Sequence, residues 1–279
     1  MRISVGDLVF DADVSGPEDG TPVLLLHGFP QSRASWLDVV PHLDEAGLRS
    51  IAFDQRGYSP GARPAKTEEY GLPHLAGDAL GVLDALGIEK AHVAGHDWGA
   101  IVAWYLAARH PDRISSLTAV AFPHLDAYRF AFRNDPEQRA SSEYVDFLTA
   151  PGRAEAMLSD GADGLRRWYH VADTVLTGEQ IDRYMAVHTQ PGALDAALNW
   201  YRTGTLFDDT APIGEVTVPT TFIWSRADPS VSNLAADRTA THVTAPYRLV
   251  TLEDASHWQP EEVPELVAQE IIRRTSGGA

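Results

Sequence analysis

Gly95-His96-Asp97-Trp98-Gly99 decides how this chain is read. Ahead of it, Ala91-His92-Val93-Ala94 is short, apolar and partly β-branched, the pattern of a buried strand. Behind it, Ala100 to His110 is an apolar run with a basic last turn, closed by Pro111, the pattern of a helix with a proline stop. The five residues are thus a strand–turn–helix junction with a glycine on each side of its centre. Glycines belong there because the turn is sharp and the backbones come close. This is the G-x-Nu-x-G geometry of a nucleophile elbow, which lifts its central residue to the N-terminus of the following helix. The slot holds Asp97. A carboxylate is a poor attacker of esters and amides, because the anhydride it would form is a worse product than the starting ester. It suits displacement at a saturated carbon carrying a strained or good leaving group, and the product is an ester of Asp97. On this stretch alone a second role stays open, since Asp is also a favoured helix cap.

Working outward, Arg2 to Val5 and Leu8 to Ala12 predict a leading hairpin, and Val23 to Leu26 a fully apolar strand of the kind found inside parallel sheets. Trp36 to Ala46 predicts a helix ended by Gly47, Ser50 to Phe53 a strand, and Leu75 to Leu86 an amphipathic helix ended by Gly87. After the elbow come strands at Ile114 to Val120, Thr220 to Trp224 and Arg248 to Leu252, and a helix over about Glu261 to Arg274. Strand and helix alternating in this way predict a doubly wound, mostly parallel α/β sheet with helices on both faces. The alternation breaks between Pro123 and Asp209, which has helical periodicity and several aromatics and reads as a helical insertion. The expected organisation is core over 1–122, helical cap over 123–209 and core again over 210–279.

Composition sets outer limits. The 279 residues are enough for one large domain or a domain with an insertion, and 44% apolar and 22% charged residues are ordinary for a globular protein. The net charge of -17 argues against nucleic acid and anionic membranes as partners. No cysteine is present, which rules out disulfides and thiolate metal sites. The N-terminus lacks an apolar core of signal-peptide length and no run reaches transmembrane length, so a cytoplasmic protein is the expectation.

In open α/β sheets the site lies beyond the carboxyl ends of the strands. The residues there are His27-Gly28-Phe29-Pro30, Asp54-Gln55-Arg56-Gly57, Asp97-Trp98, Ser225-Arg226-Ala227-Asp228 and Ser256-His257-Trp258. Asp97, then Asp228, then His257 follow the chain order of the α/β-hydrolase triad. A neutral imidazole held by a carboxylate on one nitrogen takes a proton from water on the other. The backbone N–H groups of Phe29 and Trp98 are the candidate oxyanion hole for the Asp97 ester as it becomes tetrahedral. His27 reads as a buried hydrogen-bonding residue, and Asp54 and Arg56 as braces of their loop. His124, His170 and His188 lack metal-ligand spacing, so no metal site is read.

His-Gly-Phe-Pro, Asp-x-Arg-Gly-Tyr, Gly-His-Asp-Trp-Gly and a late Asp and His-Trp together resemble the α/β-hydrolase epoxide hydrolases, from about Val23 to the last helix. Haloalkane and fluoroacetate dehalogenases share the elbow and His-Gly-Phe-Pro. The insertion separates them. The resemblance implies two cap tyrosines. The second matches Tyr201 in Asn199-Trp200-Tyr201-Arg202, and the first Tyr144, seven residues before Pro151-Gly152. Opening an epoxide leaves an alkoxide, which two phenols can hold and protonate, whereas a halide needs no proton. Trp98 stands where fluoroacetate dehalogenases place Arg, and Phe29 where haloalkane dehalogenases often place Asn. Gln31 stands where many epoxide hydrolases have a Glu that helps position water.

The resemblance therefore implies an epoxide hydrolase with Asp97, Asp228, His257, Tyr144 and Tyr201 as catalytic residues. Phe29, Trp98, Tyr144, Tyr201 and Trp258 would contact a small hydrophobic epoxide and water, with no cofactor; a homo-oligomer is left open. The rivals are a dehalogenase using the same ester, a biosynthetic enzyme in which a substrate group captures the opened epoxide, and a binding protein on a retained scaffold.

Overall fold

The computed structural model describes residues 1–170 and 175–277. Its strands are β1 (Arg2–Val5), β2 (Leu8–Ser15), β3 (Thr21–Leu26), β4 (Leu48–Phe53), β5 (Ala91–His96), β6 (Ile114–Val120), β7 (Thr220–Ser225) and β8 (Tyr247–Leu252). They form one sheet in the order β1-β2-β4-β3-β5-β6-β7-β8. β1 pairs antiparallel with β2 and β2 with β4, and every later pairing is parallel.

Four helices flank the first half of the sheet and its end: α1 (Val40–Glu45), α2 (Leu72–Ala85), α3 (Trp98–Arg109) and, at the C-terminus, Pro264–Thr275. β3 shows why both faces are covered. Its side chains alternate, so Leu24 and Leu26 join the core that α2 and α3 complete with Leu75, Ala79, Ile101 and Leu106. Val23 and Leu25 point the other way, to Leu43 of α1 and to Val267 and Ile271 of the C-terminal helix. A strand buried on both faces needs the unbroken apolar run that the sequence supplies.

Between β6 and β7 run α4 (Leu125–Asn134), α5 (Pro136–Ser141), α6 (Tyr144–Thr149), α7 (Arg153–Trp168), α8 (Gly178–His188) and α9 (Ala193–Arg202). They sit on the loops beyond the strand ends. The Tyr169 hydroxyl and His188 Nε2 both donate to the Pro30 carbonyl, each at 2.7 Å, and the Trp200 indole N–H donates to the Arg56 carbonyl at 2.9 Å. Beyond β7 lie α10 (Asn233–Thr239) and α11 (Gln259–Glu262), and the C-terminal helix is α12.

Two expected helices come out divided. Trp36 to Ala46 is a 3-10 turn over Arg33–Trp36 followed by the short α1, because Pro41 lacks an N–H and can open a helix but not continue one. The last helix breaks at Val263, whose φ of -132° and ψ of 51° are those of a residue kept out of the helical region by the proline after it. For the same reason α2 begins at Leu72, three residues earlier than the apolar pattern suggested, with Pro73 in its first turn. Among the described residues no helix is long and apolar enough to cross a membrane.

Candidate active site

β5 runs through His96 and α3 starts at Trp98, so Asp97 alone makes the turn. Its φ of 53° and ψ of -120° are unusual for a side-chain-bearing residue, a conformation that costs about 1–3 kcal/mol. Both of its peptide groups are anchored: its N–H donates to the Val120 carbonyl, and its own carbonyl accepts from Ala100 and Ile101. The flanking glycines are required sterically. A Cβ on Gly95 would lie 2.1 Å from the Gly99 carbonyl oxygen, and one on Gly99 2.0 Å from the Leu26 carbonyl oxygen. The Asp97 side chain makes no helix-capping bond, which removes the cap as its role.

The carboxylate is held from several sides. The Phe29 N–H donates to Oδ1 at 2.8 Å, and the Trp98 N–H also faces the group. Oδ2 lies 3.5 Å from His257 Nε2, and His257 Nδ1 lies 2.8 Å from Asp228 Oδ2. Asp228 is buried at 3% exposure, and its Oδ1 accepts the Ser230 N–H. The histidine loop is fixed from both ends, by the Ser256 N–H on the Glu262 carboxylate and by His96 Nε2 on the His257 carbonyl.

Burial opposes ionisation of Asp97, but the His257 imidazole and the Trp98 amide outweigh it and hold the carboxyl below its usual range. Burial likewise opposes charging of His257, and Asp228 and then Asp97 outweigh it and hold the imidazole well above its ordinary pKa. Both shifts favour an ion pair between His257 and Asp97.

A cavity of about 530 Å³ opens over Asp97 and His257. Phe29, Trp258, Pro229 and Ser230 line it from the sheet side, and Tyr144, Tyr201, Trp168, Ala140 and Ser141 from the inserted helices. The Tyr144 and Tyr201 rings meet edge to face at 6.2 Å. Burial first, and nearby tyrosines and the Asp97 charge next, push both hydroxyls well above the usual tyrosine pKa. They are donors, not anions. Of the five residues expected to contact substrate, Phe29, Tyr144, Tyr201 and Trp258 line this cavity, and the Trp98 indole does not. That ring is buried behind Tyr201 at 5.1 Å and props it, and only its backbone faces Asp97.

His27 and the Asp54–Gly57 loop are supports, as expected. His27 Nε2 accepts from the Gln55 N–H and its Nδ1 contacts the Gly28 carbonyl; burial lowers its pKa to about 3. Asp54 pairs with Arg33, and Arg56 with Asp78 through two bonds of 2.7 and 2.6 Å. Among the described residues, His124, Asp126 and His242 bring ligand atoms within 4.8 Å of one another. Two of them are engaged in holding the chain: His124 Nε2 meets the Gly214 carbonyl, its Nδ1 accepts the Asp126 N–H, and the Asp126 carboxylate accepts from Ile213 and Gly214, while the His242 ring stacks on His124 at 4.4 Å. His170 is exposed, and His188 serves the Pro30 carbonyl. The sequence reading missed Ala140, Ser141, Pro229 and Ser230, which carry no chemical signature, and Glu261, which it took only as a helix start.

Residues 21–264 match the family model for the α/β hydrolase fold. The chain is 35% identical to the AB hydrolase superfamily protein YfhM of Bacillus subtilis, over 97% of this chain and 95% of that one. It is 32% identical to epoxide hydrolase A of Mycobacterium tuberculosis, over 95% and 93%. Among solved structures, epoxide hydrolase A of Mycobacterium thermoresistibile superposes with a TM-score of 0.85 at 29% identity, covering 99% and 98% of the two chains. The Bacillus megaterium epoxide hydrolase in complex with an inhibitor gives 0.88 at 26% identity, covering 99% and 100%. The chain belongs to the α/β-hydrolase fold family, on the branch these epoxide hydrolases form.

Proposed function

We propose that this protein hydrolyses epoxides to vicinal diols through an ester on Asp97. The carrying observation is the pairing of an elbow carboxylate, within reach of a histidine, with two protonated tyrosines across one apolar cavity. Oδ1 is engaged by Phe29, so Oδ2 attacks an epoxide carbon. The carbon–oxygen bond of the ring breaks, and the alkoxide takes a proton from Tyr144 or Tyr201. Esterification removes the Asp97 charge, so the pull that kept His257 protonated weakens and its proton passes by way of water to the phenolate, restoring the tyrosine. Neutral His257, oriented by Asp228, then takes a proton from water as that water attacks Cγ. Oδ1 becomes the oxyanion facing the Phe29 and Trp98 amides. Collapse expels the diol with Oδ2, and the water oxygen stays on Asp97. Names of relatives support the reaction class, and the aromatic rings of Phe29, Trp168 and Trp258 around the cavity suit a hydrophobic epoxide.

His257→Gln incubated with a panel of epoxides, then weighed intact, tests this. An adduct that accumulates with some epoxide and is absent in Asp97→Asn supports it. Halide release from haloalkanes or haloacetates with no epoxide adduct would move the assignment to a dehalogenase.

A further inference from the structure

Behind the histidine loop lies a buried chain that the proposed reaction does not use. His96 Nε2 is 2.8 Å from the His257 carbonyl oxygen and His96 Nδ1 is 2.8 Å from Gln31 Oε1. Gln31 Nε2 is 2.6 Å from Glu261 Oε1, which also accepts the Tyr184 hydroxyl at 2.5 Å. His96 and Gln31 are fully buried, and Glu261 Oε2 is a buried atom with no partner among the described residues.

Donor and acceptor counting constrains the protons. A carbonyl only accepts, so His96 Nε2 carries a hydrogen. Two inventories then satisfy every bond. In one, His96 is an imidazolium, the Gln31 oxygen faces it, and Glu261 is a carboxylate. In the other, the amide is turned over, its nitrogen donates to a neutral His96, and Glu261 is a carboxylic acid donating to the amide oxygen. Both hold two protons on the His96–Glu261 pair. Taking one away leaves two acceptors face to face: at His96 Nδ1, at Glu261 or, when the single imidazole hydrogen moves to Nδ1 to meet the Gln31 oxygen, at Nε2 and the His257 carbonyl. Burial lowers the His96 pKa to about 4 and raises that of Glu261 to about 7, which favours the acid form.

We propose that Glu261, through Gln31 and His96, is a positioning residue for His257, and that loss of the chain's extra proton releases the His257 carbonyl. The groups facing Glu261 are Tyr184 on α8, Tyr169 after α7 and His257 across the loop, with Asp38 acting on Tyr184 from the far side. Its neighbour Glu262 is engaged by Ser256. None of these supplies a cation that would pair with an ionised Glu261 once His257 is neutral.

The kinetic part rests on the epoxide reading; the proton chain does not. Two measurements separate them. Infrared titration of the substrate-free protein should show a carboxylic-acid band that vanishes as pH rises through about 7, is absent in Glu261→Gln and shifts with carbon-13 glutamate labelling. Hydrolysis of the Asp97 ester in wild type should fall about tenfold between about pH 6 and about pH 9. That fall should disappear in Glu261→Gln, whose amide donates to Gln31 at any pH, while Gln31→Leu should be slow throughout. No titrating band overturns the chain. A band together with the same pH fall in Glu261→Gln overturns the positioning role. A band in a protein that never esterifies Asp97 with any epoxide supports the chain and sinks the epoxide reading.

Discussion

The Phe29 N–H donates to Oδ1 of Asp97 at 2.8 Å, while Oδ2 faces His257 at 3.5 Å, so the two carboxylate oxygens are not equivalent. The proposed chemistry follows from that asymmetry. One oxygen is held by the amide that will later stabilise the negative charge developing on it, and the other is free to make the bond.

The asymmetry gives a labelling prediction. With enzyme in excess over epoxide in heavy-oxygen water, one turnover should place the label in the Asp97 side chain and none in the diol. Peptide mass analysis reads it. Label found directly in the diol would mean that water, not Asp97, opens the ring.

Gly28 keeps that space clear. A Cβ there would lie 2.4 Å from Asp97 Oδ1. Gly28→Ala should push the carboxylate aside and slow ester formation by roughly 100-fold, as a misplacement near 1 Å does. Single-turnover rates of adduct formation check this, with circular dichroism showing the fold intact.

Tyr144→Phe and Tyr201→Phe should each slow ester formation, and the double variant by about 100-fold to 10,000-fold, the span of a lost general acid. Hydrolysis of an ester already formed should change much less. Equal losses in both steps would mean the rings matter for packing and the hydroxyls do not.

The ion pair also makes stability depend on pH in two directions. Asp97 is held below its ordinary 3.8, so it contributes stability above that pH and loses it as pH falls through its folded pKa. His257 is held well above 6.5, so its contribution is complete below that pH and is lost as pH rises through the folded value. Asp97→Asn should therefore remove its share of the acid edge of a melting-temperature profile and only weaken the alkaline edge, which Asp228 still supports. Unchanged edges would show that other groups set them.

Asp78 pairs with Arg56 where both side chains are nearly buried, at 5% and 9% exposure. Asp78→Ala leaves a buried guanidinium without its charge partner and should cost about 3–5 kcal/mol. Denaturant midpoints measure it.

The sheet, the elbow and the order of Asp97, Asp228 and His257 could be read from the sequence because each follows from local chemistry: apolar runs, glycines around a turn, polar residues after strands. The proline breaks at Pro41 and Pro264 were equally visible but lost to the stronger helical periodicity around them. The placement of Trp98 was not legible. Whether an indole faces a cavity or backs the tyrosine that does depends on how α9 crosses α3, and that crossing is set by long-range packing. Glu261 was hidden for a similar reason. Its partners Gln31 and Tyr184 lie far off in the chain, and only the assembled fold brings them onto its carboxyl group.

The Pro30 carbonyl, one residue past the Phe29 amide, is gripped by Tyr169 and His188 of the inserted helices. Raising those helices to admit a bulky guest must first let go of that peptide, and with it the aim of the neighbouring N–H. Any shift of those helices is thus transmitted, through a single peptide group, to the amide that faces Asp97.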